Sequence, residues 1–302
     1  MTREYFLNQL KKEYNDHLTH MVLWFIGSGI FAGCMLIYKF NRQFYEQDPD
    51  LSYYSTNSDI VSDTNLYLIN IIPVCAILIL IFGLLKPNDL IGSKIKEIAI
   101  ILLLYFLTIG TNIFITEILK KFISKPRPSV FYLCNYQGYR DGINSNNLTE
   151  YYSLTNPHNL ANIDLCWDNS ALPNAVSSFP SGHTSLSFCS QTFLVIFLIW
   201  TFDTCRNSIY LKIYNFSKLK FLSYVPYILA GWIAISRIYD YKHNEVDLIG
   251  GFIIGCVVGF FGSVKVVNIY KKLEIYENLN NQQSLNNNEF VKISNLSHIF
   301  DN

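Results

Sequence analysis

The sequence predicts an all-α, polytopic membrane protein with six transmembrane helices. Three observations carry that prediction. Half of the 302 residues are hydrophobic and 16% are aromatic. Only 15% are Asp, Glu, Lys or Arg, against about 25% in an ordinary soluble domain. Six runs, residues 21–38, 64–85, 98–116, 184–202, 221–236 and 248–264, contain no Asp, Glu, Lys, Arg or His. Buried helices of a soluble domain are a poorer account, because six such runs would leave almost no polar surface to cover them.

The runs are 18, 22, 19, 19, 16 and 17 residues long in that order. A helix crosses the hydrocarbon with about 20 mostly apolar residues, within a range of about 17–25. The first four qualify by length. The last two are short, and Lys220, Arg237 and Lys265 at their ends can snorkel and extend them. Residues 1–20 are polar and charged, and read as a cytosolic N-terminal segment. The apolar run that follows is long enough to stay as an anchor, so no cleavable signal peptide is expected. Residues 21–270 form the six-span domain, and residues 271–302 read as a cytosolic tail. Eight of the twelve residues from Asn278 to Glu289 are Asn or Gln, a composition that builds no packed core. No internal repeat is visible.

Six crossings place both termini on one side. With the termini inside, the inner segments hold 14 of the 23 Lys and Arg residues and the outer segments hold 9. The positive-inside rule therefore favours cytosolic termini. Residues 120–182 then form a long outer loop carrying Asn147-Leu148-Thr149, an acceptor pattern for N-glycosylation. Cys134 and Cys166 both lie in that loop, where an oxidising compartment allows a disulfide between them. Cys34, Cys75, Cys189 and Cys256 fall within spans as small apolar residues. No C-x-x-C pair and no His at metal-ligand spacing occurs. The bases and acids balance to a formal charge of zero, which argues against a nucleic-acid partner.

Chemistry-bearing residues gather at the outer ends of spans three to six. Lys120-Lys121-Phe122-Ile123-Ser124-Lys125-Pro126-Arg127-Pro128 follows span three, and Phe179-Pro180-Ser181-Gly182-His183-Thr184 leads into span four. The stretch from Ser236 to Asp247 connects spans five and six. Lys120, Arg127 and Arg237 supply cations, and Arg grips phosphate oxygens in a two-pronged fork. Ser181 and Gly182 precede a helix, whose N-terminal N–H groups and dipole attract an anion. His183 sits at that same mouth and can donate a proton to a leaving oxygen. His243 and Asp247 are four apart, so on a helix they would share a face. A carboxylate there would set the imidazole tautomer and stabilise the cation formed on attack.

These residues fill three patterns, K-x6-R-P, P-S-G-H and S-R-x5-H-x3-D, in that order. The chain thereby resembles the type 2 phosphatidic acid phosphatase superfamily over roughly residues 20–270. The stretch Asp240-Tyr241-Lys242-His243 is similar to the D-Y-[KR]-H of its lipid phosphate phosphatase branch. The resemblance implies that His243 is the nucleophile of a phosphohistidine mechanism, with Asp247 orienting it. It implies that His183 protonates the leaving alcohol, and that Lys120, Arg127, Ser181, Gly182 and Arg237 bind the phosphoryl oxygens. It implies no cofactor and no metal, and a lipid phosphate substrate presented from the bilayer to an exoplasmic site.

The remaining histidines, His17, His20, His158 and His298, have no such context. Lys121, Lys125 and Lys242 read equally well as interface anchors, and Asp240 as site support or as a loop acid. Polyprenyl diphosphate and glucose-6-phosphate phosphatases of the same superfamily are the nearest alternatives. A transporter fits less well, because transporters place ionisable residues near the midplane of their spans, and the six runs here have none.

Overall fold

A computed structural model describes residues 42–55, 59–85, 91–206, 220–269 and 271. The first expected span, the N-terminal segment and residues 272–302 lie outside the described residues, as do residues 207–219. Among the described residues the architecture is all-helical, with five helices long and apolar enough to cross a membrane.

These are α1, Asp63–Leu85; α2, Ile91–Ile123; α3, Gly182–Arg206; α4, Pro226–Tyr239; and α5, Glu245–Ile269. They coincide with expected spans two to six. The limits differ at the ends that carry polar residues. α2 runs on to Ile123, so Lys120 and Lys121 lie in its last turn rather than in a loop after it. Cations there face the negative end of the helix dipole, which is why a polar end can remain helical. α4 starts at Pro226, whose missing N–H is no loss at a first helical position. A 3₁₀ segment, Lys220–Tyr224, leads into it.

α3 is the centre of the bundle: 67% of its apolar window is buried, against 22% in α1 and in α5. Its packing against α1 and α2 mixes apolar and polar contacts. Leu78, Tyr105, Phe193 and Phe197 are buried together. Beside them Asn70 on α1 accepts at Oδ1 from Gln191 Nε2 (3.0 Å), and its Nδ2 donates to Ser187 Oγ (3.2 Å). Tyr105 and Ser190 hydroxyls bond each other (2.7 Å) and both reach the Asn70 carbonyl. Such neutral polar bridges hold helices together where lipid offers no alternative partner.

α5 meets α3 along Gly251, Gly255 and Gly259, one residue per turn on one face. A Cβ at each would run into backbone atoms of α3 or of the residue just before it, at Ser181, Ser185 and Cys189 respectively. The opposite side of α5 presents Ile249, Ile253, Val257, Phe260 and Phe261, all exposed, as an apolar face suited to lipid.

Over one end of the bundle sits a cap made of residues 42–55 and 124–178. It has its own core of Phe44, Leu51, Val130, Phe131, Tyr132, Tyr136, Tyr139 and Tyr151. Cys134 and Cys166 are disulfide-bonded within it, with Cα atoms 5.2 Å apart. Asn147 is exposed on its surface, its Oδ1 accepting from the Thr149 hydroxyl (2.7 Å) and N–H. The cap matters because it carries Arg127 and Pro128 of motif one and delivers the chain to motif two.

Candidate active site

Motif one turns out of α2 through Ser124, whose φ of 44° is left-handed. Its N–H donates to Lys120 O (2.9 Å) and its hydroxyl to Lys121 O (2.9 Å), closing the helix. The chain then runs beside the segment that leads to motif two. Ser178 N donates to Lys125 O (2.9 Å), and Arg127 N donates to Ala175 O (2.8 Å). Motifs one and two are thus fastened together by backbone before any side chain is considered.

Motif two opens α3. Ser181 O accepts the first helical bond from Ser185 N (3.0 Å), and Ser181 Oγ accepts from the Thr184 hydroxyl (3.1 Å). Ser181 N donates to Asp247 O (3.0 Å), which ties this helix start to the start of α5. Ser181 is therefore fully buried as a cap and tether, behind the cavity wall.

Motif three leaves α4 through a tight stop. Tyr241 N donates to Ile238 O (2.9 Å) and Lys242 N to Arg237 O (3.1 Å), while Tyr241 itself is left-handed at φ 51°. Glycine normally fills that position, and a non-glycine residue there carries strain of about 1–3 kcal/mol. Tyr241 is held there by stacking on Tyr53, centroids 4.6 Å apart, and by its carbonyl accepting from Ser129 Oγ (3.2 Å). The turn delivers His243 just ahead of α5, so His243 and Asp247 do not share a helix face as the four-residue spacing alone would have it.

A cavity of about 400 Å³ results, lined by Lys120, Arg127, Gly182, His183, Arg237 and His243, with Asp59, Asp63, Glu117 and Lys242 on its walls. Six of the eight residues singled out in the sequence reach this cavity. Ser181 and Asp247 stand behind it.

Asp247 is fully buried and heavily bonded. Lys125 Nζ donates to Oδ1 (2.7 Å), and Ser178 Oγ (2.5 Å) and Asn244 N (3.0 Å) donate to Oδ2. Its distance to His243 Nδ1 is 3.9 Å, and Ser178 Oγ lies 3.4 Å from that same nitrogen. The His243-to-Asp247 link therefore passes through the Ser178 hydroxyl. Since Nδ1 faces this pair, Nε2 is the nitrogen of His243 left for a substrate. Burial holds the His243 imidazole down to about 3, beyond the opposing pull of Asp247, with the Arg127 and Arg237 charges adding to the depression. Its ring is neutral, with a lone pair available.

Arg127 and Arg237 are both buried, at 9% and 2% exposure, and the Nε of each has no hydrogen-bond partner among the described residues. Burial, reinforced by Arg237, brings Arg127 down to about 10, which leaves it charged at neutral pH. Arg237 donates to Val61 O (3.0 Å), Asp59 Oδ2 (3.1 Å) and Asp240 Oδ2 (3.3 Å). Asp59 also pairs with Lys242 (3.2 Å). Burial works to raise Asp59, but the Arg237 and Lys242 charges outweigh it and leave the carboxyl below its usual range.

Sequence reasoning missed Ser178, Asp59, Val61 and Asp63, and left Lys125 as an anchor. Asp240 belongs with the site, since it braces Arg237 and accepts from Ile60 N (3.1 Å). No spacing signal marks any of these residues. Among the described residues no three His, Cys, Asp or Glu side chains gather as metal ligands would.

A probable diacylglycerol pyrophosphate phosphatase 1 of Schizosaccharomyces pombe is 28% identical over 251 residues, covering 83% of this chain and 81% of the relative. Diacylglycerol pyrophosphate phosphatase 1 of Saccharomyces cerevisiae is 26% identical over 223 residues, 74% of this chain and 70% of its own. Lipid phosphate phosphatase 2 of Arabidopsis thaliana is 32% identical over 151 residues, 49% of this chain and 44% of its own. No solved structure matches the chain. The pattern of the PAP2 superfamily matches residues 101–270, more than half of the chain, including most of α2 and all of α3, α4 and α5, and the chain belongs to that superfamily.

Proposed function

We propose that the protein is a membrane lipid phosphate phosphatase. It hydrolyses phosphatidate-type phosphomonoesters, and the corresponding diphosphates, through a phosphohistidine on His243 and without a divalent metal. One observation carries this reading: two buried arginines, whose Nε–H groups have no partner among the described residues, share a cavity wall with two imidazoles. A buried donor without a partner costs about 1–3 kcal/mol. A phosphoryl group supplies the missing acceptors in the geometry a guanidinium fits. The names of the relatives support a lipid phosphate or diphosphate as the substrate.

In this mechanism Lys120, Arg127, Arg237 and the Gly182 helix start hold the phosphoryl oxygens, with Ser181 fixing that helix start. His243 Nε2 attacks phosphorus as the bond to the leaving oxygen breaks, and His183 gives that oxygen its proton. His183 then takes a proton from water, whose oxygen attacks phosphorus and frees His243. The Ser178–Asp247 pair keeps the His243 Nδ1 side fixed throughout. Six spans with cytosolic termini place the cavity, the cap and a glycan on Asn147 on the exoplasmic side, next to the headgroups of the outer leaflet.

The deciding experiment is phosphate release by purified protein from phosphatidate, lysophosphatidate, diacylglycerol pyrophosphate, a polyprenyl diphosphate and glucose 6-phosphate. Glycerolipid phosphates should lead the panel. Release from glucose 6-phosphate alone would move the protein to a sugar phosphate branch, and no release from any of them would remove the reading. Turnover should be unchanged in EDTA, since a side chain performs the attack. Loss in EDTA reversed by Mg²⁺ would contradict that.

The depressed His243 also fixes a pH dependence. The nucleophile must be neutral, and with a value near 3 it stays so through pH 5. Phosphoenzyme formation from an aryl phosphate, whose leaving group needs little protonation, should fall less than about threefold from pH 7 to pH 5. An imidazole at its ordinary value of about 6.5 would lose roughly 25-fold over the same range. Rapid-quench trapping of labelled phosphate reads the difference.

A further inference from the structure

The segment from Asp59 to Asp63 lies far in sequence from all three motifs, yet its polar groups go to site residues. Asp59 holds Arg237 and Lys242, Ile60 N donates to Asp240, and the Val61 carbonyl accepts from Arg237 Nη1. The same Val61 carbonyl lies 3.0 Å from His183 Nε2, and Asp63 Oδ1 lies 3.7 Å from that nitrogen. A carbonyl only accepts, so Nε2 of His183 must carry a hydrogen. That leaves Nδ1, which has no such partner among the described residues, as the nitrogen that exchanges a proton with substrate.

We propose that Asp63 is a positioning residue for His183: with the Val61 carbonyl it fixes the Nε2–H side of the imidazole, so that Nδ1 faces the leaving oxygen. This deepens the reading of His183 as the leaving-group acid and rests on it. As the P–O bond breaks and the bond to His243 Nε2 forms, the Nδ1 proton passes to the leaving oxygen. His183, cationic before the transfer, is left neutral, with its Nε2–H still on Val61. While the ring is cationic the Asp63 carboxylate faces its positive edge, which is the arrangement a carboxylate needs to hold an imidazolium. The other charged groups sharing the cavity are Asp59, Glu117, Lys120, Arg127, Arg237 and Lys242. Glu117 is engaged by Lys120 (2.6 Å) and Asp59 by Arg237 and Lys242, whereas no Lys or Arg among the described residues pairs with Asp63, whose side chain is 87% exposed.

Asp63 also begins α1, where any carboxylate favours the helix N-terminus. A role confined to the helix would affect all substrates alike, so the leaving group provides the test. The variants are Asp63→Asn, Asp63→Glu and His183→Ala, each assayed in the full-length protein on phosphatidate and on an aryl phosphate. Asp63→Asn should lose roughly tenfold in kcat/KM on phosphatidate, a fraction of the 10²–10⁴-fold that general acid help supplies. On the aryl phosphate it should lose less than about twofold. Asp63→Glu should recover most of the loss. Equal losses of Asp63→Asn on both substrates, or no loss on either, overturn the proposal. If His183→Ala itself loses equally on both substrates, then the acid role of His183 fails and this inference fails with it. If His183→Ala is selective and Asp63→Asn is not, only the inference about Asp63 fails.

Discussion

His243→Ala should abolish turnover on every phosphate ester offered, whereas His183→Ala should lose rate selectively, according to the leaving group. The first substitution removes the proposed nucleophile, the only imidazole among the described residues with Ser178 and Asp247 behind it, so no choice of substrate restores the attack. Loss of a nucleophile that works as one unit with its partners is on the order of 10⁴-fold or more. The second removes the proposed proton donor, and such help is worth about 10²–10⁴-fold, or roughly 3–5 kcal/mol of barrier. A diacylglycerol alkoxide needs that proton, and a nitrophenolate needs it far less. His183→Ala should therefore lose much less rate on an aryl phosphate than on phosphatidate. Recovery should be partial, because His183 also lines the cavity and in the proposed mechanism takes part in the water step. The measurements are kcat/KM for both variants on both substrates, as ratios to wild type, and the position of trapped label in a base-stable, acid-labile form. Label found on His183 would reverse the two roles.

Gly255→Leu should prevent the bundle from closing. Gly255 sits where a Cβ meets Ser185 O, Cys189 N and Phe188 Cβ, and two of those three are backbone atoms that cannot rotate away. Overpacking ordinarily costs about 1–3 kcal/mol, and collision with helix backbone puts this case at the upper end or beyond. The damage also reaches the site. α3 carries His183 and α5 begins two residues after His243, so parting them opens the cavity and breaks the bond from Ser181 N to Asp247 O. Gly231→Ala on α4 is the control, since a Cβ there meets nothing within 4 Å. It should fold and turn over as wild type does. Thermal unfolding in detergent and the yield of monodisperse protein distinguish them. Wild-type stability and activity in Gly255→Leu would show that α3 and α5 do not pack along this seam.

The sequence by itself determined the all-helical class, five of the spans that the structure describes, and six residues that line the cavity. The physical reason is that each of these signals is local or short-range. A bilayer demands an apolar run of set length, so a charge-free stretch states its own structure. Lys120 and Arg127, or Arg237 and His243, lie close enough in the chain for spacing to reveal them together. Helix ends were less legible, as at Lys120, because dipole-facing cations let α2 continue past its apolar part.

Only the tertiary structure decided how the site is held. Spacing paired Asp247 with His243 directly, but Ser178, 69 residues from Asp247, stands between them. Lys125 reaches Asp247 across 122 residues, and Asp59 reaches Arg237 across 178. The seam of Gly251, Gly255 and Gly259 acquires meaning only against the α3 backbone it touches. Hydrogen bonds and ion pairs depend on ångström-scale approach, and residues so far apart approach only after the helices have packed. Composition and periodicity carry no record of that distance, so the chemistry of the site could be read from the chain while its support could not.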